Sequence, residues 1–477
     1  MRELIQRLLP KNAFARGVSV LVGGTVSAQA LMILASPILT RLYSPEDFGL
    51  LAVYAGILGL FTVIASLRYE LAIPLPEKDS EAANIAVLSL LIVIFFSIIS
   101  AILILFWGAD IAWLFGQPIM ARYLWLLPVG VLAIGAYQVF NYWSVRTKSF
   151  GNIAKTRVRQ SVAILVIQLS AFKLGALGLI VGQTTGQSVG VISLARPALK
   201  TKHFKGWRWG GLKRVAIRYK DFPIFSTWEG FLNATSWQAA PLLFAMLFSP
   251  TVAGFYALAN RVLALPASLI GEAVGNVFFA DAADAYREDK LAPLFESVYS
   301  KLVYIIMPVM LVLIIDAPRL FVFVFGERWE EAGKLAQWMS PWLAVVFIAS
   351  PLSVMFIILE KQKQGAYFQS LMLLSRVLGI VVGFYYDSVV LAVILFSFLG
   401  MLCWVGFLIW VAVCAKSSLQ SLYRPLLKSF CLSIVCVVPI VVNNLLALEQ
   451  VYWYVALFLT WLLSTAYYVI FFKQEFI

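Results

Sequence analysis

Two arginines, Arg261 and Arg376, and one carboxylate, Glu229, stand inside stretches of this 477-residue chain that are otherwise long and apolar. An ionised side chain in hydrocarbon costs about 3 kcal/mol even on the most lenient scale, so each needs a partner or a ligand. A guanidinium has a fixed fork of donors and stays charged when buried, which suits it to phosphate and diphosphate. A carboxylate nearby supplies a counter-ion, or an exchangeable proton once burial raises its pKa and an arginine lowers it. A closed Arg–Glu pair that only ties helices together is the structural alternative. The stretch ASLRYELAIPLPEKD adds Arg68 and Glu70, for which a gating or loading role and a snorkelling, topogenic role both fit.

Other chemistries have little to work with. The single histidine, His203, sits among lysines and arginines, so no histidine triad or histidine-rich metal site is expected. Cys403, Cys414, Cys431 and Cys436 form no CxxC pair and read as small apolar side chains. The chain has no Gly-Lys-Ser/Thr nucleotide loop. A transporter is therefore expected rather than an enzyme, with no metal and no cofactor.

The elements that must position these residues follow from composition. Of the residues, 62% are hydrophobic and 13% charged, and the mean hydropathy is +0.89, which places the chain in a membrane. A helix needs roughly 20 apolar residues to cross about 30 Å of hydrocarbon. The sequence offers about fourteen such spans: 15–40, 48–70, 82–107, 119–143, 155–174, 177–199, 222–248, 252–278, 298–317, 334–359, 364–386, 389–415, 425–447 and 450–472. Basic residues crowd the short connections on one side. They include Arg2, Arg7, Lys11 and Arg16 at the start, Arg146 to Arg159 between the fourth and fifth spans, and Lys200 to Lys220 between the sixth and seventh. That side is expected to be cytoplasmic and to carry both termini. The net charge of +13 reflects this bias and attraction to anionic lipids, and nucleic-acid binding is not expected.

On this topology Arg261 lies about ten residues into the eighth span, roughly 15 Å from the outer surface. Arg376 lies about thirteen residues into the eleventh span from the inner side, roughly 10 Å short of the outer face. The two guanidinium groups are thus expected at similar depth, with Glu229 nearer the cytoplasm. The charged segment 281–302 reads as a solvated connecting helix. In the sixth span Gly178, Gly182, Gly186 and Gly190 form a smooth i+4 stripe on which another helix can lie close.

The phrase LYSPEDFG at 42–49 returns as LFSPTVAG at 247–254, matching at five of eight positions and separated by six spans. An even offset orients both copies the same way, which predicts two parallel six-helix lobes with a site between them. The alternative is a common turn, with Ser capping, Pro starting a helix and Gly allowing close packing. The helices before each copy are polar and each has a late proline: Gln29 and Pro37 in one, Asn233 and Pro241 in the other. Polar, interrupted helices in matching positions point to the cavity, so Gln29 and Asn233 join the candidate ligands. The expected domains are 1–205 and 206–416, the two lobes, and 417–477, two additional transmembrane helices.

PILTRLYSPEDFGLLAVY and SLRYELAIPLPEKDSEAANI resemble the start of bacterial polysaccharide transporters. These are the O-antigen and exopolysaccharide flippases of the multidrug/oligosaccharidyl-lipid/polysaccharide exporter superfamily. The resemblance covers roughly residues 12–90. It implies an inner-membrane flippase that moves undecaprenyl-diphosphate-linked oligosaccharide outward by alternating access. Related lipid II flippases have two six-helix lobes, two extra helices and a cationic cavity with arginines from early helices and from the eighth. Arg261 matches that eighth-helix position. The first span has no internal arginine, only Arg41 at its outer end, which leaves Arg41 and Arg68 as N-terminal candidates. The expected site comprises Arg261, Arg376, Arg68, Arg41, Asn233 and Gln29 for substrate, with Glu229 and Glu70 for a coupling ion. Expected partners are the lipid-linked oligosaccharide and anionic lipids, with a polysaccharide polymerase and a chain-length regulator as further candidates and a monomer as the working unit. A cation antiporter of the same fold would want acidic residues instead, and a polymerase would want a sizeable catalytic loop.

Overall fold

Hydrocarbon offers no partner for backbone N–H and C=O groups, so long apolar runs must satisfy them internally as helix. The computed structural model describes residues 13–201, 204, 207–359, 361–446 and 449–475, which are helical with no strand among them. Arg2, Arg7, Lys11, Lys202, His203 and Lys205 lie outside the described residues. Packing divides the chain into two compact units, 1–254 and 255–477.

The first unit holds α1 (Ala13–Leu42), α2 (Pro45–Ile64), α3 (Asp79–Leu114), α4 (Leu127–Arg146), α5 (Phe150–Ser170), α6 (Ala176–Lys200), the short α7 (Trp209–Arg218), α8 (Thr227–Leu247) and the start of α9 (Pro250–Leu263). Helix α5 packs on α1 and α6, α6 also on α4, α4 on α3, and α2 on α8. The glycine stripe of α6 is a packing surface. A Cβ at Gly182 would meet Gln168 of α5 and one at Gly186 would meet Ile164; one at Gly190 would collide with Gln160.

The second unit continues through α9 into α10 (Glu272–Arg287), α11 (Leu291–Phe325), α12 (Glu330–Ala349), α13 (Gln362–Tyr385), α14 (Val389–Cys414), α15 (Gln420–Leu445) and α16 (Gln450–Glu475). Helix α11 packs on α12 and α15, α14 on α12 and α13, and α16 on α15. Helix α11 kinks at Asp316, two residues before Pro318, as expected where a proline cannot donate to the preceding turn.

Among the described residues ten helices are long and apolar enough to cross a membrane. The other four expected spans coincide with α5, α6, α8 and the α9–α10 pair, which are helical but more polar. The chain is therefore an all-α, multi-pass membrane protein.

Three local expectations change. The segment 281–302 is the end of α10 and the start of α11, so it continues two long helices rather than forming one of its own. Arg157 and Arg159 stand inside α5, not in a connection. The basic connection before α8 contains α7, whose Leu212 and Val215 are buried while Trp209 is exposed.

Both copies of the repeated phrase act as helix starts. Ser44 accepts from the Asp47 N–H at 3.2 Å while the Asp47 carboxylate accepts from the Ser44 N–H at 2.9 Å, a reciprocal capping box with Pro45 in the first turn. In the second copy Ser249 Oγ accepts from the Val252 N–H at 3.2 Å, and α9 begins at Pro250.

Candidate functional site

Helix α2 ends in an unusual turn. Leu67 and Arg68 both have left-handed backbones, with φ of 49° and 59°. For residues with a Cβ this conformation costs on the order of 1 kcal/mol each, and it persists only where surrounding structure enforces it. Downstream of this turn, Arg146 at the end of α4 holds the chain. Its guanidinium donates to Asp79 Oδ1 at 2.9 and 3.1 Å, to the Pro76 carbonyl at 2.6 Å and to the Glu77 carbonyl at 3.2 Å. One side chain thereby fixes the loop that follows the short 3₁₀ turn Tyr69–Ala72.

Arg68 is half-buried and its guanidinium rests against Gly230 of α8; a Cβ there would fall 2.7 Å from Nε. Its Nε is buried and has no hydrogen-bond partner. Glu70, 1% exposed, accepts from the Ser66 hydroxyl. Burial pushes its carboxyl above the usual range, opposed by Ser66, its own backbone and, least, Arg68. The Tyr142 hydroxyl of α4 lies within electrostatic reach of both Glu70 and Arg68. Gln138 and Asn141, on the same side of α4 as Tyr142, each present a buried side-chain oxygen without a hydrogen-bond partner. Arg68 and Glu70 are thus brought together, with a wall of polar α4 residues that the sequence reading missed. Their i, i+3 and i+4 spacing was the available signal.

Arg261 occupies a second interruption. Helix α9 stops at Leu263, two residues after Arg261, and Pro266 precedes a π-helical turn at Ala267–Gly271. A similar π turn at Phe222–Ser226, containing Pro223, precedes α8. Proline removes an N–H from the helical ladder, and the wider turn accommodates that loss. Arg261 is half-buried.

Arg376 of α13 is 9% exposed, with its guanidinium carbon 5.8 Å from the Trp342 ring and 6.0 Å from Phe396, an aromatic enclosure that stabilises a cation through ring quadrupoles. Glu229 and Asn233 are exposed on α8, Gln29 is half-buried on α1, and Arg41 is exposed in the last turn of α1.

Two further charges, one half-buried and one buried, were hidden from sequence reading. Arg157 of α5 donates to Thr25 of α1 at 2.9 Å and also bonds Tyr137 of α4. It was counted with the basic connection although the expected span 155–174 already contained it. Asp316, 2% exposed at the α11 kink, accepts from the Trp453 indole at 2.6 Å and from Asn444 at 3.4 Å; Arg319 donates to Asn444 at 2.7 Å. This network ties α15 and α16 to α11.

The arrangement defines a class: a multi-pass helical membrane protein with interrupted helices and partly buried cations. Its fold is similar to that of the lipid II flippase MurJ in an inward closed conformation, with a TM-score of 0.73 at 14% identity over 96% of this chain and 99% of that one. It is also similar to an inward-facing multidrug resistance MATE family transporter of the MOP superfamily, with a TM-score of 0.66 at 16% identity over 81% and 94%. No curated protein sequence matches. A sequence profile of the polysaccharide biosynthesis protein family matches residues 38–334, and the chain belongs to that family.

Proposed function

We propose that this protein is a flippase that carries undecaprenyl-diphosphate-linked oligosaccharide from the inner to the outer leaflet of the bacterial inner membrane, by alternating access of two six-helix lobes. The observation that carries the reading is that Arg68 and Arg261 each sit at an interruption of a helix: one in a left-handed turn, the other just before a proline and a π turn. Side chains at such interruptions are held where helices part, and guanidinium is the group best matched to diphosphate. In a polysaccharide biosynthesis family the anionic substrate with a membrane-bound end is a lipid-linked sugar.

In this scheme Arg261 meets the diphosphate, and Arg68 and Arg376 are the further candidates for it. Gln29 and Asn233 meet the glycan, Arg41 serves the outer exit, and Arg376 supplies positive potential from its aromatic enclosure. Glu70 and Glu229 are the groups for a coupling ion. Both termini face the cytoplasm, the monomer is the working unit, and a polymerase and chain-length regulator receive the product. The lobes run 1–205 and 206–416, with 417–477 appended.

The test is deletion of the gene in its host, followed by quantification of lipid-linked oligosaccharide on each membrane face. Complete repeat units should build up on the cytoplasmic face, and wild type but not Arg261→Ala should clear them. Normal translocation with altered chain length would point to a polymerase. No change in any polysaccharide would remove the flippase reading.

A further inference from the structure

The stretch 111–220 contains sixteen lysines and arginines and no aspartate or glutamate. Within it, one place is shaped as well as charged. A shallow cleft of about 380 Å³ is lined by Arg159 of α5 and by Val189, Ile192, Ser193, Arg196 and Pro197 of α6. Ser193 organises one wall: its hydroxyl accepts from Arg159 Nη1 at 3.0 Å and from the Thr156 hydroxyl at 3.0 Å, which fixes the Arg159 guanidinium at the rim. Arg196, exposed on the next turn of α6, forms the other cationic wall. Pro197 has no N–H to offer the Ser193 carbonyl, so that oxygen lacks its usual helical donor. Beyond the arginines, along α6, the lining turns apolar at Val189 and Ile192, the latter 49% exposed. Lys155 and Lys200 stand one turn further the other way, on α5 and α6.

We infer that this cleft binds the headgroup of an anionic phospholipid, its phosphate between Arg159 and Arg196, its glycerol hydroxyl at the Ser193 carbonyl and its acyl chain on Val189 and Ile192. The gradation from lysines through paired arginines to apolar surface follows that of a phospholipid from aqueous headgroup to tail. No carboxylate of α5 or α6 competes for the two guanidinium groups. Arginine offers phosphate two parallel bonds, which a diffuse lysine cloud does not. The site lies outside the residues assigned to the transported substrate, so its occupancy can be measured without any translocation assay.

The experiment is thermal unfolding of the purified full chain in micelles titrated with dioleoylphosphatidylglycerol or dioleoylphosphatidylcholine. The anionic lipid should stabilise wild type at roughly tenfold lower mole fraction than the zwitterionic one. Arg159→Gln/Arg196→Gln should abolish the preference, while Arg122→Gln/Lys173→Gln, with the same charge change among exposed residues elsewhere, should retain it. Arg196→Gln alone keeps the Arg159–Ser193 bond and should lose a substantial part of the preference, which covers a double variant that fails to fold. Equal stabilisation by the two lipids, a preference that survives Arg196→Gln unchanged, or full reproduction by inorganic phosphate would each overturn the assignment; the last would mean a free-anion site.

Discussion

Gly49 of α2 packs directly on Pro250, the first residue of α9: a Cβ on Gly49 would fall 3.0 Å from the Pro250 Cα and collide with its carbonyl. The relationship is reciprocal, since a Cβ on Gly254 would collide with the Pro45 carbonyl and fall 3.0 Å from the Gly49 nitrogen. Each copy of the repeated phrase thus places its glycine on the other copy's proline. The two copies meet through a local two-fold relation, as expected of duplicated segments facing the same way.

Gly49→Ala and Gly254→Ala should therefore each lower the melting temperature of the detergent-solubilised protein. Overpacking against backbone costs about 1–3 kcal/mol, which exceeds the gain of about 1 kcal/mol from replacing a helical glycine. Gly23→Ala is the control, because nothing lies within 4 Å of a Cβ there, and it should be neutral or stabilising. Equal behaviour of all three would mean the reciprocal contact is not tight in solution.

Gly230→Ala should separate activity from stability. The obstructed group is the far end of Arg68, which can swing away, so the helix gains alanine's propensity while the guanidinium loses its seat. Expected are an unchanged or higher melting temperature and translocation reduced as far as in Arg68→Ala. Full transport by Gly230→Ala would dissociate Arg68's position from function.

Glu70→Gln tests the buried carboxyl through pH. Because burial raises its pKa in the folded state, the fold binds that proton more tightly than the unfolded chain does. Stability from this group is thus fully present at low pH and declines as pH rises from the ordinary carboxylate range through the raised value. The Gln variant should unfold at higher temperature than wild type at neutral pH, with the advantage shrinking as pH falls into the ordinary carboxylate range. An advantage independent of pH would rule out titration of Glu70 as its source.

Asp316→Ala should loosen the C-terminal helix pair, since it strips the Trp453 indole of a buried acceptor. A loss of about 1–3 kcal/mol is expected. Combining it with Trp453→Phe should cost less than the sum of the two, measured by unfolding of the single and double variants. Additivity would show that the bond carries no coupling.

What the sequence made legible was what depends on neighbours in the chain. The capping by Ser44 and Ser249, the helix starts at Pro45 and Pro250 and the glycine stripe of α6 are local chemistry. So are the ten strongly apolar spans, which follow from apolar length alone. Arg157 and Asp316 escaped because their meaning depends on where a helix begins or kinks. Arg157 was counted among the topogenic charges at the start of its span, and Asp316 fell at the assumed edge of its own. Glu70 was noticed at the rim, but its burial depends on packing near Tyr142 of α4, a neighbour about seventy residues away in sequence. Helix α7 was hidden by its Gly-Gly pair and its charges.

The four more polar spans, α5, α6, α8 and the α9–α10 pair, are consecutive among the spans, and this bears on how the chain enters the membrane. A helix as polar as α5, with Arg157 and Arg159 inside it, gains too little from lipid to partition alone. During synthesis α5 and α6 can settle only against α1 and α4, already in place, and those neighbours supply the partners for Arg157. The α9–α10 pair has to wait for strongly apolar α11. The middle of the protein is thus inserted on credit from its ends, and variants that weaken α1 or α11 should reduce membrane yield before they affect any assay of the mature protein.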